Sequence, residues 1–414
     1  MKLFKSIFLT ASLLLSTSLF AGELEVLHWW TSGGEAKAVS SLKDTLSEKG
    51  HTWKDFSVAG GSGSNAMSAL KSRAVAGNPP TAAQILGPAL LEWAELGVLR
   101  NMDHVAKANN WDEVLPASFA KHMKYDGHYV AAPVNVHKAN WMWVNPAIFK
   151  KAGATIPTTW EEFEVAAKKI KKAGFIPVAQ GGQPWQEAHL FESIVLGVGG
   201  ADFYKKAMVD SDLKALGSKT MRKAFDTFRM VKKYTDKNAP GRDWNLATAM
   251  VYKGEAAMQF MGDWAKGEFA IAKKSPGIDY VAYDIPATNG SFLYIIDAFM
   301  LFDIKDKNAR KAQDDLAEAI LSDKFQTTFN LYKGSVPVKG GVSRAPFDDV
   351  ALRSMDQING AAYTKQLHPS FAHGMATAPN IKGAMTDIIT KFFNSNMSSK
   401  NGAKALVKAV KAEL

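Results

Sequence analysis

Strand-like and helix-like segments alternate along most of this chain, and that alternation limits the fold more than any other feature. Residues 24–30 have the composition of a short strand, and the helical pattern of residues 36–49 follows a turn of small residues. Residues 81–86 form a second apolar strand pattern, which precedes the helical pattern 88–96. Such alternation favours an α/β architecture, because helices then cover the sheet that the neighbouring strands build.

The clearest single helix is predicted at residues 160–172. Thr159 and Glu162 have the spacing of a capping box at its start. Trp160 and Phe163 share one face with the later apolar residues, and Gly174 indicates the end. Further helices are predicted at 66–76, 217–234 and 309–332, and further strands at 175–179, 280–285 and 293–302.

The first 21 residues have the pattern of a secretory signal peptide that is removed. Lys2 and Lys5 precede the short apolar stretch 7–15, and Ala21 is a small residue before the expected cut. The apolar stretch is about half of the roughly 20 residues that a membrane span needs. Removal of residues 1–21 from the 414 leaves 393. That length is too great for one ordinary core and predicts two domains.

Composition narrows the compartment and the partners. The chain has no cysteine, so neither disulfides nor a lipid on an N-terminal cysteine is expected. The net charge of +10 comes from lysines scattered in pairs over helical segments, a pattern typical of solvated helix faces rather than of nucleic-acid binding. We therefore expect a soluble, monomeric protein of the bacterial periplasm with no nucleic-acid partner.

The turn after the first strand has the residues that suit a sugar. Trp29 and Trp30 are adjacent there, and Glu35 opens the following helix. Indole rings can cover the apolar face of a sugar, and a carboxylate accepts hydrogen bonds from hydroxyl groups. Because adjacent strand residues point to opposite faces, we expect at least one of the two indoles at the ligand. For Glu35, a role at the helix start is the alternative to ligand contact.

Several runs of residues together resemble a known family. The run 131–145, AAPVNVHKANWMWVN, leads through 149–153, FKKAG, to 157–163, PTTWEEF. Later runs are 254–258 with 261–264, GEAAM and MGDW, and 333–337, KGSVP, with Ala372-His373. They resemble the solute-binding proteins of bacterial sugar importers driven by ATP-binding cassettes, over essentially the whole chain after residue 21. The Trp29-Trp30 pair, Lys333 and His373 resemble the glucose-type members.

The resemblance implies the two-lobe α/β fold of periplasmic binding proteins, of type II and similar to maltose-binding protein. It implies one lobe of residues 22–133 plus 299–340 and a second lobe of residues 134–298 plus 341–414. A hinge would close the lobes over a ligand in a central cleft. The closed form would then dock on membrane permease subunits of the transporter.

Further ligand contacts are expected from polar residues in apolar surroundings. Gln84 is the lone polar residue of its strand, and Asp297 interrupts the apolar run 293–301, where an unpaired carboxylate is costly. Lys333 and His373 are expected at the ligand from the resemblance. Asp297 and Lys333 could pair across the empty cleft and turn to the sugar hydroxyl groups when the sugar binds.

Further contacts are expected from tryptophans of the second lobe. Asn140 and Trp141 lie where the chain would enter that lobe, and Trp185 follows a glycine turn at a strand end, where ligands often bind. For Trp185, ligand contact and packing are equally supported. Trp264 is preferred to Trp244 as the ring that faces the first-lobe indoles, because its run carries the resemblance.

An exported carbohydrate enzyme is the main alternative function. Glu35 and Asp297 are the one carboxylate pair that we would nominate, and nothing in the sequence makes either a proton donor. The chain has no nucleophile elbow, no zinc-protease motif and no phosphate-binding loop, and its nine histidines lack tight ligand spacing. We therefore expect no enzyme activity, no cofactor and no metal site.

The second alternative is a different solute. A long oligosaccharide would need a longer aromatic platform, and a phosphorylated solute would need arginines, which the candidate set lacks. We therefore expect a neutral sugar, most simply glucose, while another hexose, a disaccharide or a polyol stays open. Leu86 lies near a position where some glucose-binding relatives carry a lysine, so one cationic contact to a hydroxyl group would be missing.

Overall fold

The computed structural model describes residues 21–363 and 365–414. The predicted signal peptide, except for Ala21, lies outside these residues. Among the helices of the described part, none has the length and apolar character to cross a membrane. Two main sheets, of six and four strands, organise this part of the chain, and a separate sheet of two short strands is also present.

The strands, numbered along the described chain, are β1 Glu23–His28, β2 Thr52–Ser57, β3 Ala82–Leu86, β4 Lys124–Tyr125, β5 His128–Tyr129, β6 Ala131–Lys138, β7 Trp141–Val144, β8 Ile176–Val178, β9 Ala256–Phe260, β10 Val281–Asp284, β11 Phe292–Leu301 and β12 Leu367–Pro369. The α-helices are α1 Gly33–Glu48, α2 Ser64–Val75, α3 Ala89–Glu95, α4 Asp103–Ala108, α5 Trp111–Val114, α6 Ala117–Ala120, α7 Pro146–Ala152, α8 Trp160–Lys172, α9 Pro184–Tyr204, α10 Leu213–Leu216, α11 Lys219–Lys232, α12 Trp244–Tyr252, α13 Ala265–Ile271, α14 Lys307–Ile320, α15 Asp323–Lys333, α16 Asp349–Tyr363, α17 Pro379–Phe393 and α18 Ser399–Glu413. Short 3-10 turns at Gly61–Gly63 and Lys121–Met123 and a π-helical turn at Lys205–Val209 complete the set.

The larger sheet has the strand order β12-β11-β3-β1-β2, and β6 also pairs with β11. β1 runs parallel to β2 and β3, and α1 and α2 make the crossovers that parallel neighbours require. β11 runs antiparallel to β3, with Asp297 directly opposite Leu86. This register brings the ends of β1 and β3 and the middle of β11 to one edge of the sheet.

The smaller sheet has the order β10-β7-β9-β8. β8 and β9 are parallel, whereas β7 is antiparallel to both of its neighbours. The buried helix α9 follows β8, and its first turn carries Trp185. In the chain, α12 precedes β9 and α13 follows it. Trp244 is the first residue of α12, and Trp264 comes directly before α13. The tryptophans nominated for the second lobe after residue 180 therefore come from the helices around this sheet.

The chain passes between the two sheets at strands that continue beyond the predicted lobe boundaries. β6 extends five residues past Pro133 before β7 begins the smaller sheet, and β11 begins before Asp297. β12 returns to the larger sheet after α16. The proposed lobe limits of 22–133 plus 299–340 and 134–298 plus 341–414 stay a prediction.

Local signals placed several elements correctly. The structure confirms α8 at the predicted residues, and its capping box is present, since Thr159 Oγ1 accepts from the Glu162 amide and Glu162 accepts from the Thr159 amide. The prediction of one helix over 309–332 was wrong. The first helix ends at Ile320, and Ser322 caps a new helix by accepting a hydrogen bond from the Phe325 amide. A serine at that position satisfies an amide that a continuous helix would pair internally.

Candidate ligand-binding cavity

A cavity lies between the larger sheet and the helices of the smaller one. About 380 Å³ of space, part of it open to solvent, lies between its walls. Its lining, among the described residues, is Trp29, Trp30, Glu35, Gly61, Ser62, Leu86, His137, Trp185, Trp244, Trp264, Ile295, Asp297, Lys333 and His373. Nine of the twelve residues nominated from the sequence therefore meet here.

The β1–α1 turn supplies one wall. Trp30 is almost fully buried and packs edge-on against Phe299, with ring centroids 5.5 Å apart. Glu35 accepts hydrogen bonds from the amides of Thr31 and Ser32 at 3.1 and 3.2 Å. Its other carboxylate oxygen accepts from Lys333 Nζ at 3.0 Å. Glu35 thus both caps the start of α1 and presents a paired carboxylate at the cavity.

Lys333 pairs with Glu35, and the predicted pairing with Asp297 was wrong. Lys333 is the last residue of α15, which packs against α1, so its ammonium group meets the carboxylate at the start of α1. The ammonium lies 6.0 Å from the ring centroids of both Trp30 and Trp264. This single cation is therefore shared between a carboxylate and two aromatic faces.

Asp297 is held in β11 by other partners. Its carboxylate accepts from Gln84 Nε2 at 2.9 Å and lies 3.1 Å from His137 Nε2. Burial opposes ionisation of this group, but the hydrogen bond and charge of His137, the charge of Lys333 and the Gln84 amide outweigh it and lower the pKa. Asp297 is thus an ionised acceptor at neutral pH.

His137 is a lining residue that the sequence reasoning missed. Its Nδ1 forms a hydrogen bond with Asp263, whose other oxygen accepts from the Lys138 amide at 2.8 Å. Burial is the largest single influence and would lower the pKa of His137, but the charge of Asp263 and the hydrogen bonds to Asp263 and Asp297 together raise it. A signal was present in the sequence, because Asn135 and His137 are polar at alternate positions of a strand that is apolar up to Lys138, and so they share one face.

An aromatic cluster forms the opposite wall. The rings of Trp264 and His373 have centroids 5.0 Å apart, and Trp185 lies 5.6 Å from His373 and 6.5 Å from Trp264. Trp244, at the start of α12, also lines the cavity. The predicted facing ring, Trp264, is thus opposite the β1–α1 turn, with Lys333 near both.

A glycine-rich loop closes the cavity between its two walls. A Cβ atom on Gly61 would lie 2.5 Å from the ring of Trp185, and one on Gly63 would lie 2.8 Å from the ring of Trp29. Ser62 Oγ donates to the carbonyl oxygen of Ala372 at 3.1 Å. Residues without side chains are needed here because the backbone itself packs against both indoles.

Three nominated residues do not line the cavity. Gln84 lies one layer behind it, where its side chain accepts from the Trp29 amide at 3.1 Å and donates to Asp297. Asn140 bonds Thr288, the Ser291 carbonyl and the Leu293 amide. Trp141 is fully buried, with the Lys138 ammonium 3.8 Å from its ring centroid.

The expected ligand contacts of Asn140 and Trp141 therefore do not agree with where the structure places them. The chain changes sheets at these two residues, and the turn needs polar partners for its backbone and an apolar residue to fill the space beneath it. Asn140 supplies the first and Trp141 the second. For the nine lining residues, ligand contact stays a prediction.

One group of ligating side chains within the described part is compact enough to be tested as a metal site. The candidate ligand atoms of His189, Glu192 and His373 lie within 4.8 Å of one another. However, the Glu192 carboxylate already accepts from Ser370 Oγ, Tyr204 Oη and the amides of Phe371 and Ala372. The charge of the half-buried Lys382 also interacts with this carboxylate. Both features oppose a cation there.

Comparison with known proteins shows which protein family the chain belongs to. The model for "bacterial extracellular solute-binding protein" matches residues 36–314. A "probable sugar-binding periplasmic protein" of Rhizobium meliloti is 47% identical over 403 residues, which is 97% of each chain. A protein of the same description from Brucella melitensis is 47% identical over 389 residues, covering 94% of this chain and 92% of its own.

Solved structures agree in fold. The solute receptor AcbH, described as having an exclusive preference for β-D-galactopyranose, superposes with a TM-score of 0.81 at 21% identity. The match covers 95% of this chain and 99% of the receptor. The expected two-lobe α/β fold is thereby confirmed.

Proposed function

Because this chain belongs to the bacterial extracellular solute-binding proteins, we propose that it is the sugar-capturing component of an ATP-binding-cassette importer. Its cargo is a single neutral hexose, with glucose as the first candidate. The protein binds the sugar between its lobes, closes around it and delivers it to the membrane permease. It works in the periplasm as a monomer after removal of the signal peptide.

The observation that carries this proposal is the arrangement of charges between indole rings in one cavity. The carboxylates of Glu35 and Asp297 accept hydrogen bonds, and the ammonium of Lys333 donates them. Trp30 and Trp264 present aromatic faces around the same space. A sugar matches this arrangement because its hydroxyl groups donate and accept around the ring while its C–H groups form an apolar face.

The charge of the cavity supports a neutral cargo. The loop Gly61–Gly63 bounds the cavity on one side. No arginine is among the described lining residues, whereas a phosphorylated solute would favour one. This absence supports a neutral sugar rather than a phosphorylated one.

The relatives support a sugar as the class of ligand, and experiment must decide which sugar epimer binds. The proteins of Rhizobium meliloti and Brucella melitensis carry a sugar-binding and periplasmic description. Leu86 lies opposite Asp297 and lines the site with an apolar side chain instead of a cationic one. Glucose, galactose, mannose, xylose and maltose are therefore the sugars to compare.

The test is calorimetric titration of the mature protein after unfolding and refolding have removed any bound ligand. We expect glucose to bind with a Kd on the order of 1 μM, or about −8 kcal/mol, and the other four sugars to bind more weakly. Tighter binding of galactose or mannose would make that sugar, instead of glucose, the proposed cargo. No heat with any of the five sugars, from protein with native circular dichroism, would refute the hexose assignment.

The same samples test whether the protein is only a carrier. Solute-binding proteins are not enzymes, and we propose no catalytic role for Glu35 or Asp297. Each sugar should be recovered unchanged by chromatography after prolonged incubation. Conversion of any sugar by the pure protein, lost on Asp297→Asn substitution, would contradict the carrier function.

A further inference from the structure

His373 reaches the cavity with a second histidine directly behind it. Nδ1 of His189, on α9, lies 3.2 Å from Nε2 of His373. Both side chains are buried, and the ring of Trp264 packs against both, with centroids 5.7 and 5.0 Å away. The remaining nitrogen of His373, Nδ1, has no hydrogen-bond partner among the described residues, and His373 lines the cavity. That nitrogen is the one available to a ligand.

The contact between the two rings requires one nitrogen to donate and the other to accept. Burial lowers the pKa of His189 to about 3 and the pKa of His373 well below its usual value. Both rings are therefore neutral at neutral pH, and a neutral imidazole carries a single N–H. Either His189 Nδ1 donates to His373 Nε2, or the reverse. The choice decides whether His373 Nδ1 carries a hydrogen.

Two features favour His189 as the donor. Its Nε2 is buried without a partner among the described residues. If His373 donated, that nitrogen would carry the hydrogen and become an orphaned buried N–H, which is rarer and more costly than an unpaired acceptor. In addition, Glu192 Oε1 lies 3.8 Å from His189 Nδ1, and a carboxylate oxygen favours an N–H at that position over a lone pair.

We propose that His189 is a positioning residue that keeps the hydrogen of His373 on Nδ1, so that His373 presents an N–H donor to a hydroxyl oxygen of the bound sugar. This inference rests on the proposed function for its ligand. His373 then joins Lys333 as a donor, while Glu35 and Asp297 accept. A bound sugar must therefore offer an acceptor at the ring position that faces His373.

The backbone that carries His373 is held as firmly as its ring. Glu192 accepts from Ser370 Oγ and the Phe371 amide at 2.7 Å each, and from the Ala372 amide at 3.1 Å. The His373 amide donates to Ser370 Oγ at 3.3 Å. These bonds tie the loop to α9, the helix that also carries His189. One helix thus sets both the position and the hydrogen of His373.

The first test reads the hydrogen directly in the sugar-free protein. Histidine-selective ¹⁵N labelling with long-range ¹H–¹⁵N correlation shows which ring nitrogen of His373 is protonated, with His373→Gln providing the assignment. We expect a protonated Nδ1 and a bare Nε2. A protonated Nε2 would overturn the inference. Bare Nδ1 of His189 facing bare Nε2 of His373, with a change on adding EDTA, would overturn it in favour of a metal ion.

The second test uses matched variants and glucose as the probe. Asn places an amide N–H close to the position of Nδ1 in histidine, whereas Leu has no donor. We therefore expect His189→Asn to keep glucose affinity within about threefold and His189→Leu to lose about tenfold, at unchanged near-ultraviolet circular dichroism. His122→Gln is the control, since His122 is a half-buried histidine that contacts Tyr294 away from the cavity.

Glucose analogues distinguish the loss of the His373 hydrogen-bond donor from a general loosening of the structure in His189→Leu. In the wild type, the glucose analogue with fluorine at the position facing His373 should bind better than the matching deoxy sugar, because fluorine still accepts. His189→Leu should abolish that difference, and equal behaviour in both proteins would contradict the donor role. If no hexose binds, the proposed function fails, while the NMR result still decides the placement of the hydrogen.

Discussion

At the scale of single residues, the cavity depends on pairs that satisfy each other before any ligand arrives. Lys333 and Glu35 are both buried and form one ion pair, and Asp297 is held by Gln84 and His137. A sugar hydroxyl group can therefore join groups that are already oriented. Such pre-organisation lowers the conformational cost of binding.

Trp264→Ala tests the aromatic wall. We expect glucose affinity to fall at least about tenfold, or about 1.4 kcal/mol, because the ring that faces the β1–α1 turn is removed. Calorimetric titration measures the loss, and thermal unfolding checks that the protein still folds. Trp264→Phe, which keeps an aromatic face, should retain more affinity. Wild-type affinity in the alanine variant would exclude stacking on this ring.

Lys333→Met tests the buried ion pair. Removing the ammonium leaves the Glu35 carboxylate without its charged partner, so we expect the sugar-free protein to lose about 3 kcal/mol of unfolding free energy. Adding Glu35→Gln should restore part of that loss, because it removes the unpaired charge. Urea unfolding of the single and double variants provides the measurement. If the Lys333→Met and Glu35→Gln proteins were each as stable as the wild type, the ion pair would contribute nothing to the unfolding free energy.

At the scale of elements, the residues that line the cavity lie mostly at the ends of helices and in loops. The start of α1, the end of α15 and the loop Gly61–Gly63 each bring backbone or a charged side chain to the cavity. The helix α9 carries Trp185, His189 and Glu192 on its first three turns. Displacement of any of these elements would alter the site without a change in its residues.

Gly61→Ala tests the closing loop. The added methyl group would meet the Trp185 ring at 2.5 Å, so we expect weaker glucose binding, by about tenfold, with little change in thermal stability. Gly383→Ala is the matched control, because its Cβ has no neighbour within 4 Å and it lies inside α17. That control should bind normally and be slightly more stable. Normal binding by Gly61→Ala would show that the loop does not need to close.

Glu192→Gln tests the pH dependence that α9 introduces. Burial raises the pKa of Glu192 to about 7 from an ordinary value of 4.5, against the hydrogen bonds that lower it. The folded protein therefore binds an extra proton between those values, and this contribution to stability is present at low pH and is lost as pH rises through 7. Glutamine stays neutral throughout. The unfolding free energy of the variant relative to the wild type should therefore rise between pH 5 and pH 8, by on the order of 3 kcal/mol.

Chemical denaturation at several pH values measures this difference. The variant has a constant offset from altered hydrogen bonds, so the slope against pH is the quantity to compare. The neutral buried His189 is present in both proteins and cancels. A parallel dependence in the two proteins would mean that Glu192 keeps an ordinary pKa.

At the scale of the whole molecule, the structure is a closed arrangement of the two sheets and their helices. A Cβ atom on Gly34 of α1 would lie 2.8 Å from the backbone of Gly267 of α13, and the loop Gly61–Gly63 packs on Trp185. We expect these contacts to separate when the sugar is absent, because a hinge motion of the lobes would open the space between them. Small-angle X-ray scattering should show a smaller radius of gyration on adding glucose. An unchanged radius would contradict hinge closure.

Local patterns in the sequence determined much of the architecture. The capping box of Thr159 and Glu162 located α8, and alternation of segments indicated the α/β class, because capping and periodicity depend on neighbours in the chain. The break at Ser322 was missed, because the apolar pattern continues across it. The aromatic and acidic residues of the cavity were nominated from their unusual settings together with a family resemblance.

The tertiary structure decided which of those residues meet and with what partners. Lys333 joins Glu35 rather than Asp297 because α15 packs on α1, and Asn140 and Trp141 serve the crossing between sheets. His137 and His189 gained their roles only from residues more than a hundred positions away in sequence, Asp263 and His373 for example. Sequence spacing determines local backbone structure, but hydrogen bonds and charges act through distances in space, and these exist only once the chain has folded.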